Sequence, residues 1–101
     1  DNSMEWPLKR EYLQKIKEVK FTYTSGNSTV ILKDMSLIAD GKVVFNNPKT
    51  GSLNKDNPSA IYSVKLEMGV RANNGASLKV TIDGKNGELQ AKGKVILILE
   101  E

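Results

Sequence analysis

The fold of this 101-residue chain is decided by residues 62–83, which read YSVKLEMGVRANNGASLKVTID. Apolar and polar side chains alternate along both halves of this stretch, and Asn73-Asn74-Gly75-Ala76 separates the halves as a turn. A period of two is typical of a strand with one face on a core and one in water. We therefore predict two antiparallel strands. Their shared apolar face consists of Tyr62, Val64, Leu66, Met68, Val70, Ala72, Leu78, Val80 and Ile82.

Strand signals continue on both sides of this stretch. A strand predicted over residues 29–38 loses its alternation at Lys33-Asp34, where a β-bulge or a bend would return both halves to one buried face. Asp40-Gly41 has the composition of a two-residue hairpin turn leading into residues 42–45. A further turn is predicted at residues 83–87. The last strand is predicted to begin at Leu89 and to run to Leu99.

The N-terminal segment has the spacing of a helix. Leu8, Tyr12, Ile16 and Val19 follow one another at intervals of four, four and three residues, which places them on one helical face. Pro7 suits the first helical position, where its missing N–H is not needed. We therefore predict an α+β fold in a single domain over residues 1–101. One amphipathic helix, about 7–19, packs on a curved antiparallel sheet or meander of about five to six strands.

Two regions are predicted to contact a partner. Residues 46–59 exceed the usual length of a hairpin connection, and Asn47, Lys49, Thr50 and Lys55 offer polar groups there. Plain flexibility of this loop is the alternative. The second region is Val95–Leu99, whose five residues are apolar on both faces of the last strand.

An apolar outer face needs cover. Two kinds of cover are possible. Either the helix and the second strand lie over opposite faces of the sheet, or Ile96 and Ile98 contact a partner chain. Both readings stay open at this point. The residues predicted to bind a partner are Ile96, Ile98, Asn47, Lys49, Thr50 and Lys55.

Composition argues against several activities. The chain has no histidine and no cysteine, so it has no disulfide, no thiolate nucleophile and no Cys/His zinc site. Its aspartates lie mainly in turns, and its glycines do not form a phosphate-binding motif. We predict no enzymatic activity, no catalytic residue, no cofactor and no metal.

Charge gives little support for nucleic-acid binding. The net charge is +3, and Arg10 and Arg71 are the only arginines. The predicted outer sheet face carries lysines without interleaved aromatic side chains, so it offers no base-stacking surface. Nucleic acid is therefore not a predicted partner.

We predict a non-enzymatic binding or structural and assembly module that acts through protein contacts, self-association included. A bacterial extracytoplasmic setting (periplasmic, secreted or cell surface) is expected, because Asn, Ser, Thr and Gly crowd the loops. The longest apolar run, Val95–Leu99, is too short to cross a bilayer. The alternative function is binding of a lipid or small apolar ligand in a cavity between helix and sheet. The predicted lining of that cavity is Val64, Leu66, Met68, Val80 and Leu97.

Overall fold

The structure, a computed structural model, describes residues 2–83 and 91–100. These residues form eight strands and one short 3-10 turn, Arg10–Tyr12, and they contain no α-helix. The strands are β1 (Asn2–Leu8), β2 (Ile16–Gly26), β3 (Val30–Ala39), β4 (Lys42–Asn47), β5 (Gly51–Leu53), β6 (Ser59–Ser63), β7 (Ala76–Asp83) and β8 (Ala91–Leu99).

The strands form two antiparallel sheets. The five-stranded sheet has the order β1-β7-β3-β4, and β5 also pairs with β3. The three-stranded sheet has the order β6-β2-β8. The α+β prediction of a helix on one sheet is therefore wrong: the described residues are mostly β, and a second sheet takes the place of the predicted helix.

One hydrophobic core lies between the two sheets. Inward side chains alternate along the strands of both sheets, as in β7, where Leu78, Val80 and Ile82 are buried. Trp6 of β1 and Phe21 of β2 meet across the core, with their ring centroids 6.3 Å apart. The buried core residues are Leu13, Ile16, Val19, Phe21, Tyr23, Leu32, Met35, Leu37, Ala39, Leu53, Tyr62, Leu78, Val80 and Ile82.

A β-bulge accounts for the helix-like spacing of the N-terminal segment. Ile16 and Val19 both belong to β2, and the pairing of β2 with β8 shifts register between Ile16 and Glu18. Such a bulge places two residues opposite one and turns the later side chains over. Ile16 and Val19, three residues apart, therefore both face the core. Leu8 ends β1 and Tyr12 ends the 3-10 turn, so the four residues share no helix.

The bulge and the hairpin predicted around β3 are confirmed. The pairing of β3 with β7 shifts register between Leu32 and Asp34. Leu32 and Met35 are therefore both buried, although their separation is odd. Asp40 and Gly41 connect β3 to β4 with φ angles of 52° and 81°, the left-handed conformation that a two-residue hairpin turn requires.

The strand predicted over residues 62–72 ends early, at Ser63. Val64 still donates its N–H to the Lys17 carbonyl at 3.0 Å, but no strand pairing continues beyond it among the described residues. Met68 is fully exposed, and Gly69 next to it has a φ of 88°. The apolar residues on either side, Val64, Leu66, Val70 and Ala72, pack against the core from an irregular segment. The second half of the prediction, β7, is confirmed.

Two further predictions concern loops. Residues 46–59 do not form one open loop, because β5 lies within them and pairs with Val30–Leu32 of β3. The predicted turn over residues 83–87 and the predicted start of the last strand at Leu89 lie outside the described residues, apart from Asp83 at the end of β7.

Candidate interaction edge and cleft on β8

The last strand, β8, forms one edge of the three-stranded sheet. Its inner edge pairs with β2, and no described strand pairs with its outer edge. From Lys94 to Ile98 this pairing is regular, opposite Thr22 to Glu18 in unbroken register. Alternate residues of the apolar stretch 95–98 therefore present, at regular spacing, backbone N–H and C=O groups with which no described strand pairs.

Two other sheet edges, those of β1 and β4, carry features that hinder pairing with another chain. Pro7 removes one N–H donor from β1. The β4 edge is irregular, because its pairing with β3 shifts register between Leu37 and Ile38. Bulges and prolines are common ways to protect a sheet edge. Residues 95–98 of β8 have no proline, no charged side chain and no register shift; the shift in the pairing with β2 falls between Ile98 and Leu99.

The edge of β6 is covered by the chain itself. The Asn47 side chain donates to the Ser63 carbonyl at 3.1 Å, and Lys49 Nζ donates to the Ile61 carbonyl. These two carbonyls lie two residues apart on one strand and so project from the same edge. Two of the predicted partner-binding side chains thus already bind within the chain.

Lys49 and Tyr62 form a second contact between this loop and β6. The Tyr62 hydroxyl donates to the Lys49 carbonyl at 2.7 Å, and Lys49 Nζ lies 4.9 Å from the centre of the Tyr62 ring. Burial, and secondarily the negative charge of Asp34, raises the pKa of the Tyr62 hydroxyl. Thr50 and Lys55 are exposed on the same loop. Asn47 and Lys49 at the β6 edge and the β8 isoleucines lie toward opposite edges of the three-stranded sheet and do not form one site.

Three isoleucines lie among polar and charged residues on the outer face of the three-stranded sheet. Ile61 of β6 and Ile96 of β8 both lie opposite Lys20 of β2, and their side chains are 42% and 44% exposed. Ile98 lies opposite Glu18 and is half-buried. The predicted helical cover for Ile96 and Ile98 is absent from the described residues. This outer apolar strip consists of Ile61, Ile96 and Ile98.

A cleft of about 350 Å³ opens between the two sheets beside the first half of β8. Its lining is mainly apolar: Met4, Trp6, Phe21, Thr22, Tyr23, Val30, Leu32, Leu53, Val80, Ile82, Ala91, Lys92, Gly93, Lys94 and Val95. Of the five residues predicted to line an apolar cavity, Val80 alone lines this one. The other four predictions assumed a helix above the sheet.

Backbone geometry holds the β8 wall of this cleft close to β2. Gly93 lies opposite Tyr23, and a Cβ atom at Gly93 would collide with the Thr22 carbonyl oxygen. The Thr24 hydroxyl donates to the Lys92 carbonyl at 2.9 Å. Thr22 Oγ1 is buried without a hydrogen-bond partner among the described residues.

Asp40 anchors the segment that leads into β7, which the sequence did not reveal. Its carboxylate accepts hydrogen bonds from the backbone N–H groups of Asn73, Asn74 and Gly75, at 2.6 to 3.3 Å. These bonds, from Asn73 first and then Asn74, lower the pKa of the Asp40 carboxyl, and the nearby Arg10 charge acts in the same direction. Arg10 Nη1 also donates to the Asn73 carbonyl.

Arg10 and Arg71, distant in sequence, line one open cleft of about 300 Å³ together with Glu11 and Gln14. Arg10 is held there by its bond to Asn73, and the Gln14 amide donates to the Val70 carbonyl at 2.8 Å. Both guanidinium-bearing residues are exposed. Within residues 2–83 and 91–100, no three acidic side chains stand close enough together to hold a metal ion.

Comparisons with protein families, with curated proteins and with solved structures each found no match for this chain. Among the described residues, no helix is long and apolar enough to cross a membrane.

Proposed function

We propose that this protein is a non-enzymatic assembly module whose β8 edge pairs with the same edge of a second copy. The observation that carries the proposal is the regular apolar edge of residues 95–98, in contrast to the interrupted edges of β1 and β4 and the covered edge of β6. Free strand edges bind other strands through backbone hydrogen bonds, and their side chains give the contact its specificity.

The sequence of β8 is complementary to itself. An antiparallel pair with its two-fold axis at Leu97 places Ile96 opposite Ile98 of the second copy and Val95 opposite Leu99. In the same register, Lys94 lies opposite Glu100 of the second copy at both ends of the apolar stretch. Opposite charges directly across a strand pair stabilise it, so this register has both apolar and charge complementarity. Such pairing would join two three-stranded sheets into one of six strands.

The outer apolar strip supports the same arrangement. Ile96 is 44% exposed in one copy, and pairing across β8 would bring it beside Ile98 of the other copy. Each copy would then shield part of the other's strip. Full burial of an isoleucine side chain stabilises an association by about 1.5–3 kcal/mol, and partial burial by a fraction of that.

We also propose a bacterial extracytoplasmic setting, whether periplasmic, secreted or at the cell surface. Its support is compositional: Asn, Ser, Thr and Gly are frequent in the predicted loops of the chain. Fractionation of the native source, with detection by an antibody to this chain, tests the setting. Recovery in the cytoplasmic fraction alone would refute it.

Sedimentation velocity over a concentration series tests the proposed function. The unmodified chain is expected to form dimers as concentration rises, and Ile96→Lys is expected to remain monomeric. Val43→Lys is the matched control, because Val43 of β4 is 61% exposed and lies on the other sheet. A monomer at all concentrations, or equal loss of association in both variants, would refute the proposal.

A further inference from the structure

Asn74 and Gly75 form an Asn-Gly pair on the exposed segment that leads into β7. In such a pair the backbone nitrogen of the glycine can attack the side-chain amide carbon of the asparagine, because glycine has no side chain to hinder the approach. Asparagine is a chemically labile residue for this reason. A Cβ atom placed on Gly75 would have no neighbouring atom within 4 Å, so packing does not block the reaction here.

Hydrogen bonds hold this pair in place. Asp40 Oδ1 accepts the backbone N–H of Asn74 at 2.6 Å and that of Gly75 at 3.3 Å. The backbone N–H of Asp40 donates in return to the Gly75 carbonyl at 2.9 Å. Arg10 Nη1 donates to the carbonyl of Asn73, immediately before the pair. Gly75 is therefore bound through both its N–H and its carbonyl, and the peptide group before Asn74 is bound as well.

The Asp40 carboxylate opposes the attack on the Asn74 side chain in two ways. The attacking group is the Gly75 nitrogen after it has lost its proton, and a hydrogen bond to a carboxylate favours the protonated form. The negative charge of the carboxylate also disfavours a second negative charge on that nitrogen. Rotation of the Gly75 peptide group toward the Asn74 side chain would in addition break these hydrogen bonds. The reaction rate is therefore expected to depend on Asp40.

We propose that Asn74 is a deamidation site whose reaction the Asp40 carboxylate restrains in the folded chain. When the contact with Asp40 opens, the Gly75 nitrogen forms a bond to Asn74 Cγ. The bond between Cγ and the amide nitrogen breaks, and ammonia leaves with the proton from Gly75. Water then opens the cyclic imide at either of its carbonyl groups, which gives aspartate or isoaspartate. Both residues are exposed, so water reaches the imide.

The product does not restore the original contact. In isoaspartate the main chain runs through the former side chain, so one extra carbon atom separates the N–H groups of residues 74 and 75. Either product also places a new carboxylate close to that of Asp40, where like charges disfavour each other. One opening of the contact thus leaves a permanent change in the segment before β7. The proposal does not depend on dimerisation, because this segment lies outside β8.

Peptide mapping by mass spectrometry measures the reaction at Asn74 separately from that at Asn86, which also precedes a glycine in the sequence. The unmodified chain is incubated in slightly alkaline buffer, once folded and once in denaturing urea. Deamidation at Asn74 is expected to be at least about tenfold slower in the folded chain, which corresponds to about 1.4 kcal/mol in the reaction barrier. Equal rates under the two conditions would overturn the proposal.

Asp40→Gly tests the role of the carboxylate. Asp40 has a φ of 52°, which glycine also adopts, so the variant keeps the hairpin turn and loses only the side chain. The folded variant is expected to deamidate at Asn74 about tenfold faster than the unmodified chain. Gly93→Ala is the control for general loss of stability, because Gly93 lies on β8 and not in this segment. Circular dichroism verifies that both variants fold.

The two variants separate local opening from global unfolding. Acceleration in Asp40→Gly alone supports restraint by the carboxylate. An unchanged rate in Asp40→Gly would overturn the proposal. Equal acceleration in Gly93→Ala would overturn it too, because the rate would then follow global unfolding and not the contact with Asp40.

The structural consequence of the reaction is tested with Asn74→Ser, which has no side-chain amide to lose at this position. The unmodified chain and Asn74→Ser are incubated in denaturing urea until the unmodified chain has reacted at Asn74, and both are then refolded. The thermal midpoint of the unmodified chain is expected to fall by more than that of Asn74→Ser, since reactions at other asparagines affect both chains alike. An equal fall in both chains would show that the product at Asn74 does not loosen the segment and would overturn that part of the proposal.

Discussion

Ile96 and Ile61 lie in one cross-strand row on the outer face of the three-stranded sheet, on either side of Lys20. Both isoleucines are more than 40% exposed, although they belong to strands whose inner faces cover the core. No helix covers this row among the described residues. The β8 end of the row adjoins a strand edge that lacks the usual protection against pairing, which is why we propose that a second copy binds there.

A charge exchange tests the register of the proposed pair. Lys94→Glu or Glu100→Lys alone places like charges opposite each other at both ends of the stretch, and each is expected to weaken dimerisation about three- to tenfold, since an exposed pair contributes up to about 1 kcal/mol. The double variant restores opposite charges and is expected to recover dimerisation in sedimentation experiments. Lys65→Glu is the control for net charge. If the double variant loses as much dimerisation free energy as the two single variants together, the two-fold axis of the pair does not lie at Leu97.

Asp40 gives the protein an acid-sensitive contact. Its folded-state pKa is lowered by the backbone N–H groups of Asn73 and Asn74, so its contribution to the free energy of unfolding is fully present above the unfolded pKa of about 3.9. That contribution is lost as pH falls through the lower folded-state pKa. Asp40→Asn is expected to lower the thermal midpoint near neutral pH and to reduce its decrease in acid.

Asp56→Asn is the control for this experiment, because no hydrogen bond to the Asp56 carboxylate is present among the described residues. Its thermal midpoint is expected to follow the unmodified chain across the acid range. An acid profile of Asp40→Asn identical to that of the unmodified chain would show that the carboxylate does not hold the segment before β7.

Gly93 tests how closely β8 approaches β2. A methyl group at this position would meet the Thr22 carbonyl oxygen, so Gly93→Ala is expected to lower the free energy of unfolding by about 1–3 kcal/mol. Gly75→Ala is the control, because no atom lies within 4 Å of a Cβ placed there. Urea denaturation measures both. Equal stability of the two variants would mean that the strands do not approach as described.

Tyr62 links the covered edge of β6 to the loop. Tyr62→Phe keeps the buried ring but leaves the Lys49 carbonyl without the 2.7 Å hydrogen bond, at an expected loss of about 1 kcal/mol in urea denaturation. Tyr12→Phe serves as the control, because Tyr12 has no side-chain hydrogen bond among the described residues. A loss at Tyr62 no greater than that at Tyr12 would contradict the account of this edge.

The sequence predicted those elements whose local signals agree with their pairing. Asp40-Gly41 has a conformation that few other residue pairs adopt, so its hairpin is visible without tertiary information. The break at Lys33-Asp34 was visible because the apolar residues change parity there, and a bulge is what restores the face.

The prediction of an N-terminal helix was wrong because a β-bulge also changes the spacing of buried residues there. A bulge in β2 gives Ile16 and Val19 a spacing of three on one buried face, which is also the spacing of a helix. Only the pairing partner, β8, distinguishes the two structures, and that partner lies about eighty residues away along the chain.

The strand predicted over residues 62–72 shows that alternation alone does not make a strand. Its alternation is real, and Val64 and Leu66 do pack on the core, but beyond Ser63 no described strand offers a pairing partner. The cleft and the Asp40 anchor were also missed. The cleft depends on residues from both sheets, and the second sheet was not predicted. The Asp40 anchor depends on the pairing of β3 with β7, which brings Asp40 next to residues 73–75.

Amide hydrogen exchange along β8 at low and high protein concentration tests the central claim most directly. Pairing through this edge predicts that alternate amides within Val95–Leu99, those facing away from β2, exchange more slowly as concentration rises. The β1 edge around Pro7 is expected to show no such change, and Ile96→Lys removes the effect from β8. Exchange rates in Val95–Leu99 that are independent of concentration would contradict the account.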